Sequence, residues 1–137
     1  MSAAIPNETQ EQIWLLKWGQ QPTIRKQYPD LKYLYHIPNE RSDKRQAAIL
    51  KKMGVKRGVP DLCLPVARGQ FHGLFIEMKR SDGGTVPDDQ LWWNEQLISK
   101  GYASVICEGW ESGKEALLWY LNLPSPPKSA RLCLPSK

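Results

Sequence analysis

The sequence predicts an α/β protein, close to the border with α+β, in which helices flank a mixed β-sheet. Helix signals alternate along the chain with short apolar segments rich in β-branched and aromatic residues, in the order α-β-α-β-β-α-β-α. A length of 137 residues suits a single domain with a buried core. No stretch has the apolar length of a membrane span, and residues 1–8 lack the character of a signal peptide.

The first helix is predicted from about Glu8 to Trp18, because Asn7 can cap its N-terminus and Gly19 can end it. A loop with two prolines follows. Leu31 to Ile37 then has the aromatic and β-branched content of a strand.

A second helix is predicted from about Ser42 to Met53, with Gly54 at its C-terminal end and residues 47–50 on its inner side. This region also carries the basic charge. Residues 41–57 contribute seven cations and one anion, a net charge of +6. The whole chain has a net charge of +5, so the other residues sum to −1. A concentrated positive segment favours contact with nucleic-acid phosphates, and a solvated helix face is the alternative. The cations are Arg41, Lys44, Arg45, Lys51, Lys52, Lys56 and Arg57.

Two strands, Asp61–Val66 and Phe71–Lys79, are predicted to form a hairpin around a turn at 67–70. Such a hairpin would bring Asp61 towards Glu77. Because side chains alternate along a strand, residues 74, 76 and 78 form an apolar face, while residues 75, 77 and 79 carry an acid and a base on the other.

The remaining chain is predicted to hold a loop at 81–86, a helix from Pro87 to Gly101 and a strand from Tyr102 to Cys107. A capping box beginning at Ser112 predicts a last helix through Leu121. Residues 1–123 would then form the domain, and the Pro-, Ser- and Lys-rich residues 124–137 a tail.

The predicted hairpin carries the residues best suited to bind a metal ion. Two carboxylates, Asp61 and Glu77, with the backbone carbonyl of Met78, are oxygen ligands that suit Mg²⁺ or Mn²⁺. Lys79 can orient a water or stabilise charge in a transition state. Pro-Asp is also a common turn starter and Glu-x-Lys a common edge-strand pattern, but the apolar run before Glu77 favours a strand leaving the interior.

Cysteine and histidine usage points away from other metal chemistry. Cys63 and Cys107 lie in apolar runs, where core packing is the expected role, and Cys133 is distant from both. Only His36 and His72 are available for a Cys/His cluster. A reducing cytoplasm is the expected compartment.

Several segments, taken in order, resemble the virus-type replication-repair nuclease (VRR-NUC) domain, a branch of the PD-(D/E)xK nuclease superfamily. The similarity covers about Glu8 to Leu121 and extends in particular to the small stand-alone versions carried by phages and prophages. The matching segments are 8–12, 36–40, 53–62, 73–79 and 90–93.

The resemblance implies a restriction-endonuclease-like core and Mg²⁺- or Mn²⁺-dependent hydrolysis of DNA in the cytoplasm of a bacterial host. It further implies branched substrates, including four-way (Holliday) junctions, and a homodimer. A non-catalytic nucleic-acid-binding module with the same fold is one alternative, and a nuclease that acts on linear or flapped DNA is another.

The resemblance also assigns roles to individual residues. Asp61 and Glu77 would be metal ligands, Lys79 the catalytic lysine, and Gln90 a support for the lysine, a ligand or a phosphate. Glu8 fits a metal-proximal glutamate of the first helix, and Glu11 is the alternative. Trp92 and Trp93 are expected mainly to pack, and stacking of one of them on an unpaired base at a branch point is the alternative. The residues expected to line the cleft or to meet DNA are His36, Asn39, Lys56 and Arg57.

Overall fold

The computed structural model describes residues 4–39 and 43–127, which form helices around one four-stranded sheet. Five α-helices, one 3₁₀ helix and four strands lie within these ranges. In chain order they are α1 (Glu8–Gln20), α2 (Pro22–Gln27), the 3₁₀ helix (Pro29–Tyr33), β1 (Tyr35–His36), α3 (Lys44–Lys52), β2 (Leu62–Leu64), β3 (Leu74–Lys79), α4 (Asp88–Ser99), β4 (Ala103–Glu108) and α5 (Trp110–Leu121).

The sheet is mixed, with the strand order β1-β2-β3-β4. The pairs β1–β2 and β2–β3 are antiparallel, and β3 and β4 are parallel. A parallel pair needs a crossover connection, which α4 provides between β3 and β4. This mixed α/β architecture confirms the predicted fold class and is consistent with a restriction-endonuclease-like fold.

The core lies between the sheet and the helices α1 and α5. The apolar face of β3, Leu74, Ile76 and Met78, is buried there as its alternation predicts. Leu15 of α1 and Leu117 of α5 are fully buried against the same cluster. This packing holds the N-terminal helix on the strand that carries the candidate chemistry.

The segment predicted as a strand from Leu31 to Ile37 begins as the end of the 3₁₀ helix, which runs to Tyr33, and only Tyr35–His36 pairs with β2. Leu31 is buried at 3% exposure beside Gly19 of α1, so its turn docks on that helix instead of extending the sheet. Gly19 does not end α1, which continues to Gln20.

The predicted proline loop is also partly helical. Pro22 occupies the first turn of α2, where its missing N–H costs no hydrogen bond. By contrast, the Asn7 cap is confirmed, since its side chain accepts from the N–H of Gln10 at 2.8 Å.

The last helix begins at Trp110, and the predicted capping box at Ser112 is wrong. Gly109 precedes the helix with φ +86°. The carboxylate of Glu11, in α1, accepts from the N–H of Trp110 at 3.4 Å. A side chain 99 residues away therefore occupies the position that the sequence assigned to a local cap.

The prediction of an inner face on α3 is also wrong. Asp43 caps this helix through the N–H of Gln46 at 2.7 Å, but none of the residues of α3 is buried. Ile49 is 53% exposed. In the described ranges, no helix is long and apolar enough to cross a bilayer.

Candidate active site

A polar cleft of about 500 Å³ opens beside the ends of β2 and β3. It collects side chains from five separate parts of the chain, which the fold brings to one place. Its lining residues are Glu8, Thr9 and Gln12 of α1, His36 and Asn39, Gly58, Val59 and Asp61, Glu77 and Met78 of β3, and Gln90 of α4.

Sheet register brings the two predicted carboxylates together. β2 and β3 pair with Leu62 opposite Ile76, so one further step of the register puts Asp61 opposite Glu77. The Oδ2 atom of Asp61 accepts from the N–H of Met78 at 2.8 Å, which fixes the orientation of this carboxylate. The predicted meeting of Asp61 and Glu77 therefore follows from strand pairing.

The surroundings of Asp61 and Glu77 disfavour the ionisation of both carboxyl groups at once. The pKa of Glu77 is raised from its ordinary value of 4.5 to about 9, first by burial and then by the hydrogen bond with Asp61 and the charge of Asp61. The positive charge of Lys79 acts in the opposite direction, and Glu8 adds a smaller upward contribution. Like charges at one site are relieved by a shared proton or by a bound cation.

Met78 and Lys79 complete this side of the cleft. The side chain of Met78 belongs to the core, so its backbone is the part that lines the cleft. Lys79 is only 3% exposed and lies close enough to Glu77 for its charge to lower the pKa of that carboxyl. An ammonium group this buried is held in place by its surroundings.

Gln90 reaches the cleft from the first turn of α4. Its Oε1 atom is buried and has no hydrogen-bond partner within the described ranges. A buried polar atom without a partner is costly, so this one is available to a group that enters the cleft.

The structure separates the two glutamates of α1. Glu8 lines the cleft and affects the pKa of Glu77. Glu11 points elsewhere, is 2% exposed and accepts from the N–H of Trp110 at the N-terminus of α5. Gln12, which sequence reasoning missed, also lines the cleft, and its position one helical turn after Glu8 is the signal that could have found it.

His36 and Asn39 fix the rim of the cleft. The Nδ1 atom of His36 lies 2.9 Å from the backbone carbonyl oxygen of Asp61 and 3.1 Å from the side-chain amide nitrogen of Gln12. The side-chain N–H of Asn39 donates to the carbonyl of Lys56 at 2.9 Å. These contacts hold the backbone before Asp61 in place, and both residues line the cleft as predicted.

The predicted DNA-contacting cations lie along and just after α3, and their side chains are exposed. Arg57 is 3.7 Å from Asp89 in an ion pair that is largely open to solvent and therefore weak. Arg41 lies outside the described residues. The exposed members are Lys44, Arg45, Lys51, Lys52, Lys56 and Arg57.

The two tryptophans of α4 differ in burial. Trp93 is half-buried, whereas Trp92 is 54% exposed, and their rings meet edge to face at 5.3 Å. The expectation that both mainly pack is therefore wrong for Trp92.

Gly58 connects the basic segment to Asp61 and permits a close approach to α4. Its φ is +89°, and a Cβ atom there would lie 2.6 Å from the carbonyl carbon and oxygen of Asp89. Gly58→Ala is expected to lower the free energy of unfolding by about 1–3 kcal/mol more than Gly54→Ala does. Gly54 is the matched control because its φ is +100° but nothing lies within 4 Å of its Cβ position.

Urea unfolding of the two alanine variants measures this difference. We also expect Gly58→Ala to impair the cleft, since Asp89 directly precedes Gln90 in α4. Equal destabilisation by the two substitutions would contradict the packing argument.

The donors in the cleft fit a hard divalent cation. Mg²⁺ is commonly held by one or two carboxylates, with water or phosphate oxygens as its other ligands. Asp61, Glu77 and the Met78 backbone offer such a set. Burial first, and then the neighbouring Asp61, raise the pKa of Glu77, and a bound cation would favour its ionised form. Among the described residues, no group of three or more His, Cys, Asp or Glu side chains is gathered around one metal position.

Comparison with known proteins agrees with the fold. The family model of the VRR-NUC domain matches residues 6–111. A solved structure described as a VRR_NUC domain protein is 31% identical in sequence, with a TM-score of 0.74. The similarity covers 89% of this chain and 93% of that one. No match to a curated protein is found.

The family match assigns this chain, with its mixed sheet and its acidic cleft at the ends of the central strands, to a nuclease-type class. The chain belongs to the VRR-NUC family.

Proposed function

We propose that this protein is a Mg²⁺- or Mn²⁺-dependent endodeoxyribonuclease that cuts branched DNA, such as four-way junctions, as a homodimer. The observation that carries the proposal is the convergence of Asp61, Glu77 and Gln90 in one cleft, with Lys79 buried beside Glu77. The proposed setting is the cytoplasm of a bacterial host, with a phage or prophage gene as the source.

In the proposed mechanism, Asp61, Glu77 and the backbone carbonyl of Met78 hold the cation. When bound, Mg²⁺ or Mn²⁺ lowers the pKa of a water molecule and neutralises charge on the scissile phosphate. The ammonium group of Lys79 orients the attacking water or stabilises the charge that develops on the phosphate. The buried Oε1 atom of Gln90, which has no hydrogen-bond partner among the described residues, would support the lysine, and the side-chain N–H₂ of Gln90 would donate to a ligand carboxylate or to a phosphate oxygen.

The proposed dimer follows from the substrate. Resolution of a four-way junction needs two symmetric nicks, and two copies related by a twofold axis supply two identical sites. Exposed cations around the cleft favour recognition of the backbone and shape of DNA over readout of base sequence.

The test is a cleavage assay with purified protein. Labelled four-way junction, flap, single strand and linear duplex of matched length are incubated with Mg²⁺, with Mn²⁺ or with a chelator. Paired symmetric nicks on the junction that need the metal would support the proposal. Preferred cutting of flap or linear duplex would replace the substrate class, and binding without cleavage of any substrate would favour a non-catalytic module.

Glu8 and Glu11 are proposed to differ in role, and their glutamine variants test this. Glu8→Gln is expected to lower the cleavage rate about 10- to 100-fold with little change in stability, because it alters the surroundings of the metal site. Glu11→Gln is expected to lower the free energy of unfolding by about 1 kcal/mol, because it removes a buried negative charge at the N-terminus of α5.

Initial cleavage rates and urea unfolding curves for the two variants provide the measurement. The reverse pattern, with Glu11→Gln losing cleavage at unchanged stability, would move the metal-proximal role to Glu11.

A further inference from the structure

The basic segment between β1 and β2 forms a projecting arm, which we define as residues 43–57. Its base is closed by the hydrogen bond from the side chain of Asn39 to the carbonyl of Lys56. Asn39 on one side of the arm and Gly58 on the other both line the cleft. The C-terminal end of the arm, at Lys56 and Arg57, therefore lies at the rim of the candidate active site.

Helix α3 within the arm packs closely against no other helix or strand of the described chain, and none of its residues is buried. Even so, it is amphipathic. Gln46, Ile49, Leu50 and Met53 share one face at the spacing i, i+3, i+4 and i+7. Ile49 is 53% exposed and Met53 is 75% exposed.

The rest of the surface of α3 is basic. At 100° between successive residues, Lys44 and Lys51 lie opposite the apolar face, and Arg45 and Lys52 lie along its edge beside Ile49. One short helix thus presents an apolar surface and four cations side by side, in an arm whose C-terminal end lies at the cleft. Exposed apolar surface of this kind, rimmed by polar residues, marks a contact surface.

We infer that the apolar face of α3 contacts unstacked bases at the branch point of DNA, while its basic face binds the flanking phosphates. The inference rests on the proposed nuclease function and assigns selectivity for branched DNA to Ile49 and Met53. In a linear duplex each base is stacked between its neighbours, so its faces are covered. A branch point exposes them, and aliphatic and methionine side chains are known to act as wedges at unstacked base steps.

Charge identifies DNA as the occupant of this surface. Each cation on the helix can neutralise a phosphate and release a counterion. A second copy of α3 against the same face would instead bring Arg45 and Lys52 of both copies close together at the edge of the contact, and like charges at short distance repel. DNA offers bases to the apolar face of α3 and phosphates to its cations, whereas a second copy of the chain would cover only the apolar face.

The test uses the full chain with Lys79→Ala, so that binding is measured without cleavage. Dissociation constants for a four-way junction and for a linear duplex of the same length are measured by fluorescence anisotropy at one salt concentration. Ile49→Gln combined with Met53→Gln is expected to lower the preference for the junction over the duplex about tenfold. Glutamine keeps helix propensity, and both positions are exposed, so the fold should be retained.

Ile98→Gln on α4 is the matched control, because Ile98 is 52% exposed but lies on another helix. It should leave the preference for the junction at the wild-type value. Lys51→Gln with Lys52→Gln should instead weaken binding to both DNAs together and reduce the salt dependence of binding.

An unchanged junction preference in the Ile49/Met53 variant would overturn the inference. So would conversion of a dimer to a monomer by the same substitutions, measured by light scattering, since the face would then join two copies of the chain. If the wild-type protein cuts junctions and the Ile49/Met53 variant still prefers the junction over the duplex as strongly as the wild type, the role inferred for the arm is wrong but the proposed nuclease function stands. If the wild-type protein neither binds nor cuts any DNA, the proposed function fails with it.

Discussion

Lys79→Ala is expected to lower the rate of DNA cleavage by about 10³-fold or more, while the affinity for DNA stays close to the wild-type value. The expectation follows from position, because Lys79 is 3% exposed and lies beside Glu77. A preorganised cation in a site shielded from water stabilises developing charge far better than one in bulk solvent. Exposed cations of the arm remain to bind the DNA backbone.

The measurement combines single-turnover cleavage of a labelled junction with anisotropy titration of the same DNA. Lys17→Ala is the control, since Lys17 is an exposed lysine of α1 that does not line the cleft. It should cut at the wild-type rate. Cleavage by Lys79→Ala at that rate would remove the lysine from the mechanism, and loss of binding in parallel with cleavage would assign it to substrate affinity.

Glu77→Gln is expected to abolish cleavage and also to remove a pH dependence of stability from the metal-free protein. The pKa of Glu77 is raised from 4.5 to about 9 in the folded chain, mainly by burial. Between these two values the folded state binds a proton that the unfolded state has lost. The stability of the wild-type protein should therefore fall as pH rises through this window, by up to about 1.36 kcal/mol per pH unit.

A neutral glutamine carries no titrating proton, so the variant should lack this slope and exceed the wild type in stability at pH 8. Urea unfolding between pH 5 and pH 9 in a chelator measures the difference. Glu95→Gln, which removes an exposed carboxylate of α4, should keep the wild-type slope. An identical slope in Glu77→Gln would show that another group holds the proton.

Added Mg²⁺ provides a second readout on the same proteins. A cation that binds Asp61 and Glu77 must displace the proton of Glu77, so binding should release a proton and strengthen with pH. The wild-type protein should gain stability on addition of Mg²⁺, and Glu77→Gln should gain much less. Equal stabilisation of both would place the cation elsewhere.

Local features of the chain explain the elements that sequence analysis predicted correctly. The Asn7 side chain caps α1, and the alternation along β3 separates a buried apolar face from the face of Glu77 and Lys79. Each of these signals acts within a few residues. The mixed α/β class followed from them and is confirmed.

The errors arose where distant contacts compete with local preference. The 3₁₀ helix at Pro29–Tyr33 replaces a predicted strand because Leu31 docks on α1. The start of α5 is stabilised by Glu11 and not by a nearby serine. The apolar residues of α3 indicated a buried face, yet the fold offers them no partner among the described residues.

The sequence by itself determined the family, the two carboxylates, the lysine and the concentration of positive charge, because each is carried by residue type and short spacing. Only the tertiary structure decided which of these side chains meet. Strand register put Asp61 opposite Glu77, and helix packing brought Glu8 and Gln90 to the same cleft while turning Glu11 towards α5. Such convergence depends on chain segments far apart in sequence, whose proximity is set by packing and not by local spacing.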